Sequence, residues 1–171
     1  MERVKSLIRD VPDFPREGIL FKDITPVLGD PEAFERVVGG LHEALEGVEA
    51  TKVVGIESRG FIFGAAVARS LGAGFVPVRK PGRLPYKTRQ VHYELEYGTD
   101  TLEIHEDAVH AGDRVVVVDD LLATGGTAEA TGRLLAQLGA EVARFAFVIE
   151  LAFLKGRERL GEEKVVSLIR Y

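Results

Sequence analysis

Short continuous runs of apolar residues recur along the chain, separated by segments whose apolar positions follow a helical period. Runs of this kind, rich in β-branched residues, are typical of strands that helices cover on both faces. They predict strands at Lys52–Ile56, Gly74–Val78, Val115–Val118, Val142–Ile149 and Val165–Ile169. The helical period predicts helices over Glu2–Arg9, from Asp30-Pro31 through Leu45, over Gly60–Leu71, directly after Thr127 and over Leu151–Leu160. This alternation predicts an α/β fold, a doubly wound and mainly parallel sheet flanked by helices.

Two segments interrupt the alternation. Gly18–Ile24 follows two prolines and is expected to be extended, and Lys80–Gln90 is expected to be a loop. Beyond that loop, Val91–Glu96 and Thr101–His105 alternate in polarity as the strands of a hairpin do. A hairpin inserted just before the central strand can act as a lid over the carboxyl ends of the strands. The sequence contains no linker or repeat, so residues 1–171 are predicted to form one domain.

The most informative chemistry lies where the Val115 run ends. Asp119 and Asp120 follow it directly, and Thr124–Thr127 then leads into a helix. Small residues let the backbone come close to an anion, and a helix N-terminus directs free N–H groups at it. The segment therefore predicts a phosphate site beside two carboxylates that suit hydroxyls or a hard cation. A nucleoside triphosphatase is excluded because no G-x-x-x-x-G-K-[ST] string occurs, and Pro77 stands where a dinucleotide fingerprint needs its third glycine.

All thirteen residues of Val115–Thr127 resemble the signature of type I phosphoribosyltransferases, which use 5-phosphoribosyl-1-pyrophosphate (PRPP). The resemblance implies that Asp119 and Asp120 hold the ribose hydroxyls, with Mg²⁺ bound nearby through those hydroxyls or through water. It also implies that a loop of small residues binds the 5′-phosphate of PRPP and of the nucleotide product. That loop consists of Ala123, Thr124, Gly125, Gly126 and Thr127.

Two further segments carry cations near the ends of strands. Glu57–Gly60 follows the first predicted strand and precedes a helix, so its position makes it a second candidate anion site. It resembles the family's pyrophosphate loop, where the peptide bond before the Ser58 position is often cis, and the resemblance places Ser58 and Arg59 at the pyrophosphate. Composition alone favours a solvated loop for the cations after the next strand, whereas the resemblance makes them pyrophosphate ligands. These cations are Arg79, Lys80 and Arg83.

The segment Tyr93–Gly98 is similar to the flexible active-site loop of the adenine-specific members of the family. The resemblance implies that Glu96 lies at the N7 edge of the purine and that Tyr97 belongs to a closing lid of about residues 80–100. Strand alternation alone would instead place Glu96 on a solvated face. The family comparison therefore carries this part of the interpretation.

The segment Gly18–Pro26 resembles the base-binding segment G-x-x-F-x-D-I-x-P of the same enzymes, within an N-terminal hood of about residues 11–30. The resemblance implies that Phe21 stacks on adenine, although an aromatic residue at irregular spacing is more often part of a core. The run E-L-x-x-L-K-G-R-x-x-L that begins at Glu150 is similar to the family's C-terminal segment, and it implies that Leu154 covers the opposite face of the ring. Together the resemblances imply that Leu20, Phe21, Arg59 and Leu154 bind adenine and that Glu96, Tyr97 and Arg59 are catalytic.

These resemblances imply a purine-salvage enzyme that transfers the 5-phosphoribosyl group from PRPP to adenine, giving AMP and pyrophosphate. Two alternatives stay open on the signature alone: a transferase for xanthine or guanine, and a regulator that senses PRPP and binds nucleic acid. The Tyr93–Gly98 and Gly18–Pro26 segments oppose the first alternative. The net charge of −5 opposes the second, because it disfavours a general nucleic-acid surface.

Composition limits the remaining partners. No uncharged run approaches the roughly 18 residues that a membrane span needs, so no membrane partner is expected. The chain has no cysteine, and Met1–Lys5 lacks the apolar core of a signal peptide, which together indicate a cytoplasmic protein. The four histidines show no metal-ligand spacing. A homodimer is expected from the family resemblance.

The chain is also poor in heat-labile residues. It has no Asn, one Met and only two Gln, and arginine outnumbers lysine about two to one. This bias predicts a thermophilic source, although a GC-rich genome would favour arginine in the same way.

Overall fold

The computed structural model describes residues 1–95 and 98–171, and its strands form one five-stranded sheet and two hairpins. The strands are β1 Arg9–Pro12, β2 Leu20–Asp23, β3 Lys52–Ile56, β4 Gly74–Val78, β5 Thr88–Leu95, β6 Gly98–His105, β7 Arg114–Leu122, β8 Glu141–Glu150 and β9 Val165–Arg170. The main sheet has the order β4-β3-β7-β8-β9, and all its neighbouring strands are parallel. The predicted parallel sheet is therefore confirmed, with β7 at its centre.

Helices cover both faces of this sheet. They are α1 Glu2–Leu7, α2 Thr25–Gly29, α3 Pro31–Ala44, α4 Arg59–Leu71, α5 Gly126–Gln137 and α6 Gly156–Leu160. Helices α1 to α4 share a core with Val116 and Val118 of β7, whereas α5 and the β5–β6 hairpin share one with Val115 and Val117. The β-branched run is therefore buried on both faces, as its composition predicts.

The start of α3 follows the predicted capping pattern. The Asp30 carboxylate accepts a hydrogen bond from the Ala33 amide at 2.8 Å, and Pro31 occupies the first helical position, where its missing N–H is not needed. The hydrogen bond from the Ala33 amide has the largest effect on the pKa of Asp30 and lowers it, and Arg3 lowers it further. Asp30 is at once the C-cap of α2 and the N-cap of α3, so the cap fixes where one helix ends and the next begins.

The hairpin of β5 and β6 is antiparallel, with Leu95 paired to Gly98. Strand β5 begins at Thr88, so the predicted loop over Lys80–Gln90 is shorter than expected. Val91 and Tyr93 are buried against the α5 side of the sheet, which explains why this insertion has an apolar face. The hairpin therefore lies beside the helix that starts at the end of β7.

Two predicted helices are wrong in extent. The first ends at Leu7 and not at Arg9, because Ile8 is extended and Arg9 begins β1. The expected helix over Leu151–Leu160 is divided into a 3₁₀ turn over Ala152–Leu154 and α6. Lys155 separates the two with a φ of +56°, in the left-handed region that ends a right-handed helix. Within residues 1–95 and 98–171, no helix is both long and apolar enough to cross a membrane.

Candidate active site

A small pocket lies at the carboxyl end of the central strand, where β7 leads into α5. It has a volume of about 100 Å³, and its lining includes Asp119 and the whole of the loop Ala123–Thr127. Gly125 has a φ of +82°, which a residue with a side chain adopts only with strain, and α5 begins at the next residue. The structure thus brings the predicted 5′-phosphate residues together around one cavity at a helix N-terminus.

The back of this loop is packed against the C-terminal segment. A Cβ atom added at Gly156 would lie 2.2 Å from the Ala123 carbonyl oxygen, and one added at Gly125 would lie 2.8 Å from the Gly156 carbonyl oxygen. Both contacts are too short for any side chain. The sequence analysis did not identify Gly156, whose partners lie more than thirty positions earlier in the chain.

The two predicted ribose acids lie beside the pocket in different electrostatic environments. Burial, with repulsion from Asp120, raises the pKa of Asp119 well above its usual range. The Asp120 side chain is also buried, and its Oδ2 pairs with Nε of Arg59. Asp119 Oδ1 accepts a hydrogen bond from the Asp120 amide at 2.9 Å. Two carboxylates and one cation therefore meet at the end of β7.

Arg59 connects this acidic pair to the N-terminal hairpin. It is the first residue of α4 and follows a Glu57–Ser58 peptide bond that is cis, as the family resemblance implies. Its guanidinium carbon lies 5.5 Å from the centre of the Phe21 ring, within the range of a cation–π contact. Attraction from Asp120 and Asp119 outweighs desolvation and raises the pKa of Arg59.

Acidic partners also hold two of the predicted pyrophosphate cations on the loop after β4, Arg79 and Lys80. Glu57 Oε2 accepts hydrogen bonds from Arg79 Nε at 2.8 Å and from the Lys80 amide at 3.2 Å. Lys80 Nζ forms an ion pair with Asp100 of β6. Desolvation has the largest single effect and lowers the pKa of Lys80, but the interactions with Asp100 and Tyr93 together outweigh it, and the net shift is upward. The sequence analysis did not assign roles to Glu57 or Asp100.

A tyrosine of the hairpin links these cations to the phosphate loop. The Tyr93 hydroxyl lies 3.2 Å from Asp100 Oδ2 and 3.4 Å from Thr127 Oγ1, and its side chain is buried. Burial raises the pKa of Tyr93, so its hydroxyl stays protonated at neutral pH. The alternation that predicts the hairpin places Tyr93 on its apolar face, but nothing local in the sequence identifies its polar contacts.

The N-terminal hairpin forms an open apolar cleft of about 240 Å³. Its lining consists of Val11, Phe14, Phe21 and Asp23. The rings of Phe14 and Phe21 pack edge to face with centroids 5.1 Å apart. Phe21 therefore lies in a cleft and not in the core, and Phe14 is a neighbour that the sequence analysis missed.

The base of this hairpin is held by the last residue of the chain. Lys22 is buried, and its Nζ lies 3.9 Å from the centre of the Tyr171 ring and 2.6 Å from Asp10 Oδ1. The residue beside Phe21 thus contacts the residue that directly follows β9.

The remaining residues expected around adenine have different outcomes. The Leu20 side chain is half exposed on β2, and Leu154 lies in the 3₁₀ turn, outside the lining of the Phe21 cleft among the residues that the structure describes. Glu96 and Tyr97 lie outside the described residues, so their proposed roles stay predictions.

Comparison with known proteins gives consistent matches. The sequence model of the phosphoribosyl transferase domain matches residues 31–168. An adenine phosphoribosyltransferase of a Synechococcus strain is 59% identical over 98% of this chain and 98% of its own length. One from Acidobacterium capsulatum is 59% identical over 99% of this chain and 94% of its own length.

Solved structures agree in fold. Adenine phosphoribosyltransferase from Thermoanaerobacter pseudethanolicus has a TM-score of 0.97 and 55% identity, covering 99% of both chains. The enzyme from Saccharomyces cerevisiae, solved with adenine and an imino-altritol bisphosphate, has a TM-score of 0.91 and 45% identity over 98% of this chain and 97% of its own. The five-stranded parallel sheet and its flanking helices therefore form a type I phosphoribosyltransferase fold.

Proposed function

The chain belongs to the phosphoribosyltransferase family, in which its full-length relatives are adenine phosphoribosyltransferases, and we propose that the site at the end of β7 carries out their reaction. The 5-phosphoribosyl group passes from PRPP to adenine, and AMP and pyrophosphate are the products. One observation supports the site assignment. The 123–127 pocket, the acidic pair Asp119 and Asp120, and Arg59 lie together at the carboxyl ends of β3 and β7.

Each part of the site then has a task in the transfer. The loop 123–127 binds the 5′-phosphate through its backbone N–H groups, and Asp119 and Asp120 accept hydrogen bonds from the ribose hydroxyls. Ser58, Arg59 and the loop containing Arg79, Lys80 and Arg83 bind the pyrophosphate. With the ribose fixed at two points, its C1′ atom is held at a defined place.

The bond change is a displacement at C1′. The bond from C1′ to pyrophosphate oxygen breaks, and the leaving pyrophosphate keeps both electrons while cations neutralise its charge. Adenine that carries its imidazole proton on N7 has a free electron pair on N9, which forms the new bond, and the N7 proton is the one that the base gives up. We propose that Glu96 accepts a hydrogen bond or proton at N7, which raises the nucleophilicity of N9, and that Tyr97 helps close the lid over residues 80–100.

Adenine is proposed to bind in the Phe21 cleft. Phe21 stacks on one face of the base, the backbone near Leu20 reads its edge, and Arg59 contacts both the base and the pyrophosphate. Leu154 is proposed to cover the opposite face when the hood, residues 11–30, approaches the C-terminal turn. The 5.5 Å contact of Arg59 with the Phe21 ring supports this joining of the two subsites.

The residues present fit a requirement for Mg²⁺. Magnesium keeps several waters and binds substrate phosphate oxygens, and Asp119 and Asp120 would hold it through the ribose hydroxyls of PRPP or through such waters. In residues 1–95 and 98–171, no three acidic or histidine side chains cluster as a complete metal cage, so PRPP would supply the remaining oxygens. When bound, the ion would offset charge on the pyrophosphate.

We propose that the protein is a homodimer. β4 is an edge strand of the main sheet, and the side chains of Phe75 on β4 and Ile62 on α4 are exposed. The Phe75 ring packs edge to face on Phe61 with centroids 5.9 Å apart. Such an apolar surface beside a free strand edge is typical of a protein interface. Sedimentation equilibrium at micromolar concentration should give twice the chain mass of 18.7 kDa.

Two further properties belong to this proposal. PRPP and AMP carry charges that keep them within the compartment where they are made, so we propose a cytoplasmic location, testable by fractionation of the source cells. The residue bias supports a thermophilic source. A calorimetric unfolding midpoint above the mesophilic range of about 45–65 °C is expected.

The deciding experiment measures pyrophosphate release from PRPP with adenine, hypoxanthine, guanine or xanthine. Adenine should be the preferred base by a large margin, because a main-chain pattern that reads its N6 donor and N1 acceptor mismatches the oxopurines. Preference for guanine or xanthine would favour the transferase alternative. No release with any base, together with binding of PRPP and nucleic acid, would favour the regulator.

A further inference from the structure

A buried carboxylate without a cation lies behind the pyrophosphate cations. Glu103 on β6 is 2% exposed, and none of the ion pairs described within residues 1–95 and 98–171 includes it. A carboxylate in such a place is unfavourable unless other groups satisfy its oxygens. Its burial therefore points to a set of neutral donors that require an anion.

Those donors come from the segment that carries the cations. Oε1 of Glu103 accepts hydrogen bonds from the backbone amides of Arg83 at 3.1 Å and Leu84 at 3.0 Å. Its Oε2 accepts from Thr88 Oγ1 at 3.3 Å and Gln90 Nε2 at 3.2 Å. The carboxylate thus occupies a nest of N–H and O–H groups much as a bound anion would.

The main chain of the same residue holds the start of the segment. The Arg79 amide donates to the Glu103 carbonyl at 2.9 Å, and the Glu103 amide donates to the Arg79 carbonyl at 2.8 Å. Arg79 Nη1 in turn donates to the Arg83 carbonyl at 3.1 Å. One residue therefore fixes both ends of the stretch 79–84, which contains three of the four proposed pyrophosphate cations.

The ionised form of Glu103 suits this role. Burial alone would raise its pKa, but the amides of Leu84 and Gly82 and the Gln90 side chain outweigh burial, and the pKa is lowered. The charge is consequently present at neutral pH. Loss of the charge would leave several buried N–H groups facing a weaker acceptor.

We propose that Glu103 is a positioning residue for pyrophosphate: its buried carboxylate is an internal anion around which residues 79–84 fold, so that Arg79, Lys80 and Arg83 are held ready for the leaving group. This inference rests on the proposed function, which gives these cations their ligand. Glu103 itself is too deeply buried to contact substrate, and it acts through the loop.

The ligands of this active site fall into two groups, according to whether they reach the 79–84 loop. PRPP and pyrophosphate reach the 79–84 loop, whereas AMP has only the 5′-phosphate, ribose and base. A defect confined to the loop will lower the affinities for PRPP and pyrophosphate and leave the affinity for AMP unchanged. A general loss of stability would change all three affinities together, so their ratio distinguishes positioning from a merely structural role.

The test compares Glu103→Gln with Glu106→Gln. Glu106 follows the same strand, but its side chain is 43% exposed and pairs only loosely with Arg89 at 3.7 Å. Titration calorimetry with Mg²⁺ present measures the affinities for PRPP, pyrophosphate and AMP. For Glu103→Gln, we expect PRPP and pyrophosphate to bind at least about tenfold more weakly and AMP to stay within about twofold. Glu106→Gln should match wild type for all three ligands.

A second variant covers the case in which Glu103→Gln does not fold. Glu103→Asp keeps the charge but withdraws it by one methylene, so the same selective loss is expected at a smaller size. Parallel changes in PRPP and AMP affinity, or no change in either, would overturn the inference. Wild-type protein that binds AMP but neither PRPP nor pyrophosphate would instead contradict the proposed function.

Discussion

Gly156 offers a direct test of the proposed phosphate site, because it packs against the loop 123–127 from the side opposite the pocket. Alanine at this position would bring its Cβ to 2.2 Å from the Ala123 carbonyl oxygen, whereas Cβ contacts under 3.0 Å are essentially never seen. The φ of Gly156 is outside the left-handed region, so the penalty is steric. Relief of the contact requires the loop 123–127 to move by roughly 1 Å.

A displacement of that size is large for a site that aligns C1′ with the base. Misplacement by about 1 Å can reduce a reaction rate about 10²-fold, which corresponds to about 2.7 kcal/mol. Gly156→Ala should therefore lower kcat/KM for PRPP about 100-fold. It should also lower the affinity for AMP, because AMP uses the same proposed 5′-phosphate site. The assay is initial-rate pyrophosphate release at saturating adenine.

Gly39→Ala is the matched control. Gly39 lies in α3, and a Cβ added there meets nothing within 4 Å, so activity should be unchanged and the helix slightly more stable. Circular dichroism establishes whether each variant is folded. A folded Gly156→Ala protein with kcat/KM for PRPP within about twofold of wild type would show that the contact does not position the loop.

Four other outcomes follow from the site and the core. Asp119→Asn combined with Asp120→Asn should abolish measurable PRPP binding while the circular dichroism spectrum stays native, and unchanged kinetics would contradict their ribose role. Phe21→Ala should lower the affinity for every purine because stacking area is lost, yet kcat/KM should still favour adenine over hypoxanthine. Loss of that preference would mean that the Phe21 ring itself discriminates between the bases. Glu96→Gln should lower kcat by roughly 10² to 10⁴-fold with little change in the adenine KM, and a kcat within about twofold while chemistry limits the rate would exclude it as proton acceptor. Hydrogen bonds from Arg157 are the main reason that the pKa of buried Glu150 is lowered. The ionised Glu150 therefore stabilises the fold above the ordinary pKa near 4.5, and this stabilisation is lost as the pH falls through the lowered pKa. The free energy of unfolding in urea should fall more steeply with acid in wild type than in Glu150→Gln, and an equal pH dependence in the two proteins would refute this.

Local patterns predicted the parts of the molecule that a single segment contains. Val115–Thr127 holds its strand, acids, loop and helix start in one stretch, so the position of the phosphate pocket could be predicted from the sequence. Asp30 and Pro31 likewise define a helix start by short-range chemistry. For these elements, secondary structure and local hydrogen bonding determine the outcome.

Contacts between distant residues could not be predicted in this way. The pairing of Arg59 with Asp120 joins positions 61 residues apart, and the contact of Gly156 with the phosphate loop depends on how the C-terminal turn packs. The expected helix over Leu151–Leu160 was wrong because periodicity does not reveal the left-handed backbone at Lys155. Tertiary packing determines these features, and a pattern along the chain carries no record of it.

The acidic partners of Arg59, Arg79 and Lys80 have a consequence for the choice among anions in the cell. An unpaired cationic cleft would take up inorganic phosphate, nucleoside triphosphates and nucleic acid with little discrimination. Here each of the three cations already holds a carboxylate of the same chain, so an incoming anion must exchange with it. A lone phosphate can replace only one of these carboxylates, so it gains little binding free energy. PRPP presents hydroxyls, a 5′-phosphate and a diphosphate at fixed spacing, and it can replace several of the carboxylates at once. On the proposed assignment of these residues, we expect the protein to select its ligand by the number and spacing of the ligand's anionic groups, with correspondingly low sensitivity of binding to salt and to bulk phosphate.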